Sequence, residues 1–356
     1  MSEFDKYIVQ GEPDKKAKAN AWQTAIGLQD VDGLKPSEYL IKTAVQHIEG
    51  DITINQVKDM LDTYYETKDV REHLDDERTE EADKVSARIT EILSEQSFSF
   101  TPDYLLRIHR RLFDGIYKHA GQLRDVNITK KEWVLNGDTV LYSNYDMLRE
   151  TLEYDFEQEK KTDYSVLNAD MAVKQICKFV SGIWQIHPFR EGNTRTTAVF
   201  TMKWLQTFGF SVDNDVFKDN SWYFRNALVR ANYNNIPKRI FATSEYLELF
   251  FRNLLFGEQN KLSNRTMLAG DPQSATQEIS KSQNGTLDGT LSCNLDELAL
   301  LRFVKENPDA TQVEIAKHIG KSERTVKRMT PALIERGLLE RENGKRNGKW
   351  VVKCEI

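Results

Sequence analysis

The sequence predicts a mainly α-helical protein that carries one β-hairpin and ends in a small helical module with two strands. Apolar residues recur at spacings of three and four over most of the chain, which is the period of amphipathic helices. The Asn136-Gly137 step lies between alternating polar and apolar residues, which indicates a two-strand hairpin. The segment 294–356 regains helical period after a polar stretch and then reads as two short strands about a Gly-rich turn.

Length and composition limit the class of protein. The chain has 356 residues, enough for two or three domains, and its formal net charge of −6 argues against a protein that binds nucleic acid over its whole surface. Its three cysteines, Cys177, Cys293 and Cys354, lack the spacing of a zinc site or a disulfide framework. The sequence shows neither a signal peptide nor a membrane span, so we expect a soluble, cytoplasmic protein.

Changes in composition divide the chain into segments. The first, 1–66, reads as short helices, and the second, 67–95, as a charged helical connector that is exposed to solvent. A helical central domain covers 96–257, and the Asn-, Ser-, Gly- and Thr-rich stretch 258–293 predicts a flexible linker. The last segment, 294–356, is the C-terminal module.

In the first segment, Ser37 is the predicted N-cap of an amphipathic helix that ends at Gly50. Glu49 therefore lies in the last turn of this helix, where a carboxylate opposes the helix dipole. A cation from elsewhere in the fold is the expected partner of Glu49.

The most informative stretch is 186–197, which reads IHPFREGNTRTT and lies between two helices with apolar periodicity. Pro188 ends the first helix and Gly192 opens the second, so a tight loop connects them. Unpaired N–H groups at a helix start attract anions, and glycine lets an anion approach the backbone. Glu191 suits a divalent cation that bridges phosphates, and His187 is a candidate proton acceptor.

The spacing His-x-Phe-x-Asp/Glu-Gly-Asn-x-Arg resembles the signature of the Fic family, most of whose members transfer AMP from ATP to protein hydroxyls. The matching residues are His187, Phe189, Glu191, Gly192, Asn193 and Arg195. The segment that begins at Thr101 also resembles the start of the Fic helical core. Two positions depart from the family: Ala198 stands where a second arginine is common, and Thr194 where glycine is frequent.

The resemblance implies a Fic-type helical core and Mg²⁺-dependent transfer of AMP from ATP to a Ser, Thr or Tyr hydroxyl of a target protein. His187 would be the general base, Glu191 the magnesium ligand, and Arg195 the group that holds the terminal phosphates. Phe189 would anchor the loop. The implied cofactor-binding residues are Phe189, Arg190, Glu191, Gly192, Asn193, Thr194 and Arg195, with Tyr223 and Asn232 beside the nucleoside. Ala198 predicts weaker binding of ATP, or tolerance of another phosphate-bearing donor.

Two further family features have counterparts in this chain. A hairpin flap near residues 130–142 would dock the target segment by strand addition, with an ordinary surface hairpin as the alternative. An inhibitory helix would bring Glu49 to the nucleotide site, with Arg195 or a flap residue as its positive partner, but the family's Ser/Thr position is Val45 here. A solvated helix end is the alternative for Glu49.

The C-terminal module has the layout of a winged helix-turn-helix, with Thr311 and Ser322 as predicted N-caps and Gly320 in the turn between its second and third helices. It holds 13 basic and 10 acidic residues, so it is locally positive within an acidic chain. The basic residues predicted to face DNA are Lys321, Arg324, Lys327 and Arg328 on the third helix and Lys345, Arg346 and Lys349 on the wing. Protein contact or dimerisation is the alternative use of this module.

Two functions from different classes follow from these features. The first is a protein adenylyltransferase that uses ATP and Mg²⁺, with Glu49 as its candidate inhibitor. The second is a DNA-binding transcription regulator whose Fic-like domain senses a nucleotide or transfers a different phosphate-containing group. His187 favours the first function, because a pure sensor has no need of a general base. A homodimer is compatible with both.

Overall fold

Helices dominate the fold, as the sequence predicts. The structure, a computed structural model, describes residues 3–10, 12–67, 74–210, 216–270, 292–342 and 348–354. Its α-helices are α1 (Asp5–Gln10), α2 (Pro13–Gly27), α3 (Glu38–Glu49), α4 (Ile54–Thr67), α5 (Leu74–Ser94), α6 (Pro102–Phe113), α7 (Leu148–Lys160), α8 (Ala169–Ile186), α9 (Asn193–Gln206), α10 (Val216–Ala231), α11 (Glu245–Phe256), α12 (Leu295–Glu306), α13 (Gln312–His318) and α14 (Glu323–Glu335). Strands β1 (Leu339–Glu342) and β2 (Lys349–Val352) form an antiparallel pair. Within these described residues, no helix combines the length and the apolar character needed to cross a membrane.

Hydrogen-bonded caps confirm the predicted helix starts. A side-chain oxygen accepts a backbone N–H of the first turn at the start of α3, α6, α13 and α14. The capping residues are Ser37, Thr101, Thr311 and Ser322. Asn168 caps α8 in the same way. These caps determine where the helices begin and therefore where the loops between them lie.

Helix α9 is the centre of the main core. Every residue from Asn193 to Leu205 is buried, and α5, α6 and α8 all pack against this helix. A helix that is covered on all sides belongs to the interior of a domain. The loop between α8 and α9, residues 187–192, is called the motif loop below. It is held between two buried helices.

The prediction of a solvated connector at 67–95 is wrong for α5. This helix packs against α2 and α6 through an apolar stripe. The stripe includes Ala82, Val85, Ile89 and Ile92, all fully buried. The charged residues occupy the remaining faces of α5, where several of them form ion pairs, so a high charge content concealed the helical period of the stripe. Residues 68–73 lie outside the described part of the chain.

The flap loop, residues 130–142, reverses direction as predicted but does not contain the predicted strands. The reversal is made by a 3-10 turn, Trp133–Leu135, followed by Asn136 and Gly137 with positive φ angles. The N–H of Glu132 donates to the carbonyl of Asp138 at 2.9 Å. This bond closes the turn, and no strand ladder continues from it within the described residues.

The first part of the predicted linker packs against this turn. The N–H of Ala269 donates to the carbonyl of Val134 at 2.8 Å, and the Asn136 side chain donates to the carbonyl of Ala269 at 2.8 Å. These bonds satisfy polar groups at the turn, which explains why the chain there does not pair with itself as a ladder. The linker prediction is therefore wrong for 258–270, while 271–291 lie outside the described residues.

The C-terminal domain has the predicted order of helices and strands and packs against the end of α9. At this joint Gly209 has a φ of 81°, and a Cβ placed on it would lie 2.7 Å from the Cα of Ile319, which follows α13. Glycine therefore permits the close approach of the two backbones. The tip of the wing, with the predicted DNA contacts Lys345 and Arg346, lies outside the described residues.

Candidate active site

His187 follows α8 directly and has left-handed backbone angles, with φ 51° and ψ 58°. It is 3% exposed, and its Nδ1 lies 3.2 Å from the carbonyl oxygen of Trp184. In a neutral ring this contact makes Nδ1 the protonated nitrogen, because a carbonyl oxygen only accepts. Nε2 then keeps its lone pair, which is the state that a general base needs. Burial, assisted by the nearby charge of Lys130, holds the pKa of His187 well below its usual value.

Arg124 fixes the backbone on both sides of His187. Its Nε donates to the carbonyl of His187 at 2.8 Å, and its Nη1 donates to the carbonyl of Val126 at 2.7 Å. Its backbone N–H donates to the carbonyl of Pro188 at 2.8 Å, and its guanidinium also contacts the carbonyl of Ser143. Arg124 thereby joins the motif loop to the chain just before the flap loop and to the chain just after it.

Phe189 anchors the motif loop from inside. Its ring stacks on the imidazole of His109 with centroids 3.7 Å apart. His109 accepts the N–H of Gly121 at Nδ1, so its Nε2 carries the proton and donates to the carbonyl of Glu191 at 3.0 Å. The amide of Asn193 bonds both the N–H and the carbonyl of Phe189. Asn193 therefore holds the loop with its side chain.

The start of α9 has the geometry of an anion site. The first N–H bonded in the α-helical pattern belongs to Thr196, which donates to the carbonyl of Gly192 at 3.0 Å. The preceding N–H groups have no acceptor within the helix and point out of its start. Gly192 has a φ of 73°, and a Cβ there would lie 2.4 Å from the Phe113 ring, so only glycine fits. This polarised helix start suits a phosphate group.

Glu191 projects from the motif loop and is 56% exposed. Its Oε2 lies 2.8 Å from Nζ of Lys130 in the flap loop, and its neighbour Arg190 pairs with Asp125. Within the described residues no group of three His, Cys, Asp or Glu side chains is placed to hold a metal ion. Mg²⁺ at phosphate sites commonly uses one or two carboxylates and completes its shell with phosphate oxygens and water. A single carboxylate beside a phosphate-binding helix start fits that chemistry.

Arg195 is buried and already paired, which differs from its predicted role as a grip for terminal phosphates. Its guanidinium lies 2.9 Å from the Asp32 carboxylate and 2.5 Å from that of Glu81. Its Nη1 also donates to the side chain of Gln29 at 3.0 Å. The side chain of Arg195 is 1% exposed. Through these contacts it joins α9 to the 3-10 turn that follows α2 and to α5.

Asp32 also belongs to a chain of contacts that ends at His187. Its Oδ1 lies 3.4 Å from Arg225, which pairs with the buried carboxylate of Glu132 at 3.0 Å. Tyr142 donates to Glu132 at 3.3 Å, and its ring centroid lies 4.2 Å from that of His187. The N-terminal segment and α10 therefore hold the flap loop over the imidazole of the motif loop.

Three residues predicted to contact the nucleotide have partners inside the fold. Thr194 accepts an indole N–H from α8 at 2.9 Å. Tyr223 is buried and donates to the carbonyl of Tyr246 at 3.1 Å, and Asn232 donates to the carbonyl of Ser181 at 3.0 Å. These bonds account for all three as packing groups, so their predicted place beside the nucleotide gains no support from the geometry.

Glu49 has its own local partners in the N-terminal segment. Its carboxylate lies 2.7 Å from Nζ of Lys15 and also contacts the hydroxyl of Tyr7. In this structure the cation beside Glu49 is therefore Lys15, and neither Arg195 nor a flap residue contacts it. Arg195 pairs instead with Asp32 and Glu81, as described above.

Comparison with known proteins assigns the two domains. Residues 99–205 match the Fic/DOC family, and residues 297–340 match a winged helix-turn-helix DNA-binding family. The protein adenylyltransferase VbhT of Bartonella schoenbuchensis is 27% identical over 120 residues, which cover 33% of this chain and 24% of that relative. The chain thus spans only about a quarter of the relative's length. From the motif, the helical core and these matches, the chain carries a Fic/DOC domain followed by a winged helix-turn-helix domain.

Proposed function

We propose that the chain transfers AMP from ATP to a hydroxyl group of a target protein. The observation that carries this proposal is that the buried His187, whose Nδ1 contacts the carbonyl of Trp184, lies beside a helix start suited to phosphate. The exposed carboxylate of Glu191 at the same loop adds a ligand for a divalent cation. The matched relative is a protein adenylyltransferase, which favours the same reaction.

In the proposed reaction, Nε2 of His187 accepts the proton of the target hydroxyl while the hydroxyl oxygen attacks the α-phosphorus. The bond between the α-phosphorus and the bridging oxygen breaks, so AMP stays on the target and pyrophosphate leaves. The N–H groups at the start of α9 hold phosphate oxygens, and Lys130 approaches them from the flap loop. Mg²⁺ held by Glu191 would neutralise charge across the phosphates.

The flap loop is the proposed docking edge for the target. Val140 and Tyr142 are buried, whereas Leu141 between them is 85% exposed, which is the alternation of an extended strand. An extended edge of this kind accepts a peptide through backbone pairing, and alternate side chains of the peptide then meet the surface. A target segment paired there would bring its hydroxyl towards His187, over which Tyr142 lies.

The position of the transferred label tests the proposed reaction. The chain is incubated with a cell lysate, Mg²⁺ and ATP labelled at either the α- or the γ-phosphate. We expect label on protein only from the α-phosphate, and no label with His187→Ala. Lys174→Ala, at an exposed position on α8, is the matched control and should retain full transfer. Label from the γ-phosphate, or none from either position, would contradict AMP transfer.

We also propose that the C-terminal domain binds duplex DNA through α14. Arg324, Lys327 and Arg328 on this helix are exposed, as a recognition helix requires. Lys321 is tied to Asp296 at 2.9 Å, and Lys327 pairs with Glu323 on its own helix at 2.7 Å. The family matched by this domain is described as DNA-binding. If no genomic fragment shifts in a gel at low salt, this second proposal is wrong.

A further inference from the structure

The arginines on and beside the motif loop already have partners: Arg190 pairs with Asp125, and the guanidinium of Arg124 donates to backbone carbonyls. Arg195 pairs with Asp32 and Glu81, and Arg225 pairs with Glu132 and shares Asp32. These five side chains are called the buried charge cluster. Two guanidinium groups meet three carboxylates in it, so its net charge is −1 when all are ionised. The cluster therefore has no positive charge left for a ligand.

The next position on the same helix that could present a cation is filled by Ala198. This residue lies one turn after Arg195, and it is fully buried in the apolar core. Charge that enters such a region without a partner cation carries a large desolvation penalty. Helix α9 thus supplies no unpaired cation from either position, and a third phosphate would have no counter-charge there.

Within the described part of the chain, the groups that remain beside the motif loop match a diphosphate. The start of α9 contributes its outward N–H groups, and Lys130 contributes one ammonium that already reaches the motif loop. Glu191 would add one divalent cation. A helix start, an ammonium and a divalent ion together offset roughly the charge of two phosphates.

We infer that this site recognises its ligand through two phosphates and makes no stabilising contact with a third. The ligand class is a nucleoside diphosphate group, and a nucleoside triphosphate binds no more tightly than the diphosphate. The inference rests on the proposed phosphate site and concerns recognition alone, so it is tested by binding and not by transfer.

Titration calorimetry of the full chain with Mg²⁺ and either ADP or ATP tests the inference. The two dissociation constants should agree within about twofold, and Lys130→Ala should weaken both by about tenfold, because each nucleotide loses the same charge-assisted contact. ATP binding more than about tenfold tighter than ADP would overturn the inference and leave the proposed site intact. Binding of neither nucleotide would overturn the proposed phosphate site itself. An unchanged affinity in Lys130→Ala would overturn the assignment of Lys130.

Removal of negative charge from the buried charge cluster tests whether the anionic partners of Arg195 are the reason why ATP binds no more tightly than ADP. The double variant Asp32→Asn, Glu81→Gln keeps oxygen acceptors at Arg195 but removes its anionic partners. ATP should then bind about fivefold more tightly than ADP, because Arg195 becomes an unpaired cation. Glu80→Gln, one residue along α5 and paired with Lys84, is the control and should leave the ratio near one.

The fold of each variant is checked by circular dichroism before titration. If the double variant does not fold, Glu81→Gln alone is measured, with a smaller preference for ATP as the expected result. Equal affinities for ADP and ATP in a folded variant would overturn the electrostatic explanation.

Discussion

Gly192 is the residue on which the shape of the motif loop depends. We expect Gly192→Ala to lower the free energy of unfolding by roughly 3 kcal/mol, from backbone strain at a φ of 73° and from overlap with Phe113. Gly115 has the same φ of 73° with no atom within 4 Å of its Cβ position, so Gly115→Ala isolates the backbone part. That control should cost only about 1 kcal/mol in urea denaturation. Equal losses in the two variants would contradict the packing argument.

The ionisation of His187 predicts an unusual pH profile for transfer. A general base acts only when it is unprotonated, and burial lowers the pKa of His187. The single-turnover rate at saturating ATP should therefore stay constant as the pH falls from about 8 through about 6.5, and fall only at lower pH. A half-maximal rate at or above about pH 6.5, the value of an exposed histidine, would contradict this account.

For single residues, the sequence identifies functional side chains that lie within one short motif and misses those that distant segments contribute. His187, Glu191 and Gly192 are found together because their spacing is local. Arg124 and Lys130 act on the same loop from 63 and 61 residues away, and only packing brings them there. A common charged residue in a distant segment carries no local signal of its partner.

For helices and strands, apolar periodicity predicts the element correctly where apolar residues are dense, and it fails where many charged residues lie among them. Helix α8 was predicted from its apolar face, and its boundaries follow from Asn168 and Pro188. The charged residues around the apolar stripe of α5 favour a surface helix in the sequence, whereas the structure buries that stripe. Asn136-Gly137 predicts strands in the flap loop, but bonds to Ala269 take the place of a ladder.

Truncation of the α5 stripe tests its place in the core. Ile89 is fully buried, so Ile89→Ala should lower the free energy of unfolding by about 3 kcal/mol through lost burial and a cavity. Glu77→Ala, at an exposed position on the same helix, should change it by less than about 0.5 kcal/mol. Thermal and urea denaturation give both values. A loss below about 1 kcal/mol for Ile89→Ala would mean that α5 is peripheral.

Phosphate contacts by the basic residues of helix α14 would make DNA binding depend on the salt concentration in a specific way. If Arg328 contacts a phosphate, Arg328→Ala should weaken binding to all duplexes alike and reduce the slope of log K against log salt by about one. The exposed Arg149→Ala, far along the chain on α7, is the control and should leave the slope unchanged. Loss of affinity for one sequence only would indicate a base contact instead.

At the scale of the whole molecule, α9 joins the two domains. Its start is the candidate phosphate site, and the chain just past its end meets Ile319 beside the turn of the winged helix. The sequence predicts both domains from periodicity and caps. It does not predict that the N-terminal segment closes against α9, because that closure depends on Asp32 and Glu81 pairing with Arg195 across the fold.

Buried histidines predict that the folded chain is acid-sensitive. Burial lowers the pKa of His47 to about 4 and that of His109 to about 3, whereas the unfolded value is about 6.5. Between these values the unfolded state binds more protons, so stability is lost as the pH falls below about 6.5. Each histidine should cost about 1.4 kcal/mol between about pH 7.5 and 5.5. Urea midpoints that do not change over this range would contradict the burial of both rings.

A crystal structure of the full chain with ADP and Mg²⁺ tests the proposed site directly. Both phosphates should lie at the start of α9, within hydrogen-bond distance of the N–H groups of residues 193–195. The metal ion should lie at Glu191, and Nε2 of His187 should face the α-phosphate. Nucleotide bound elsewhere, or phosphates that touch neither the start of α9 nor the metal ion at Glu191, would contradict the proposed site.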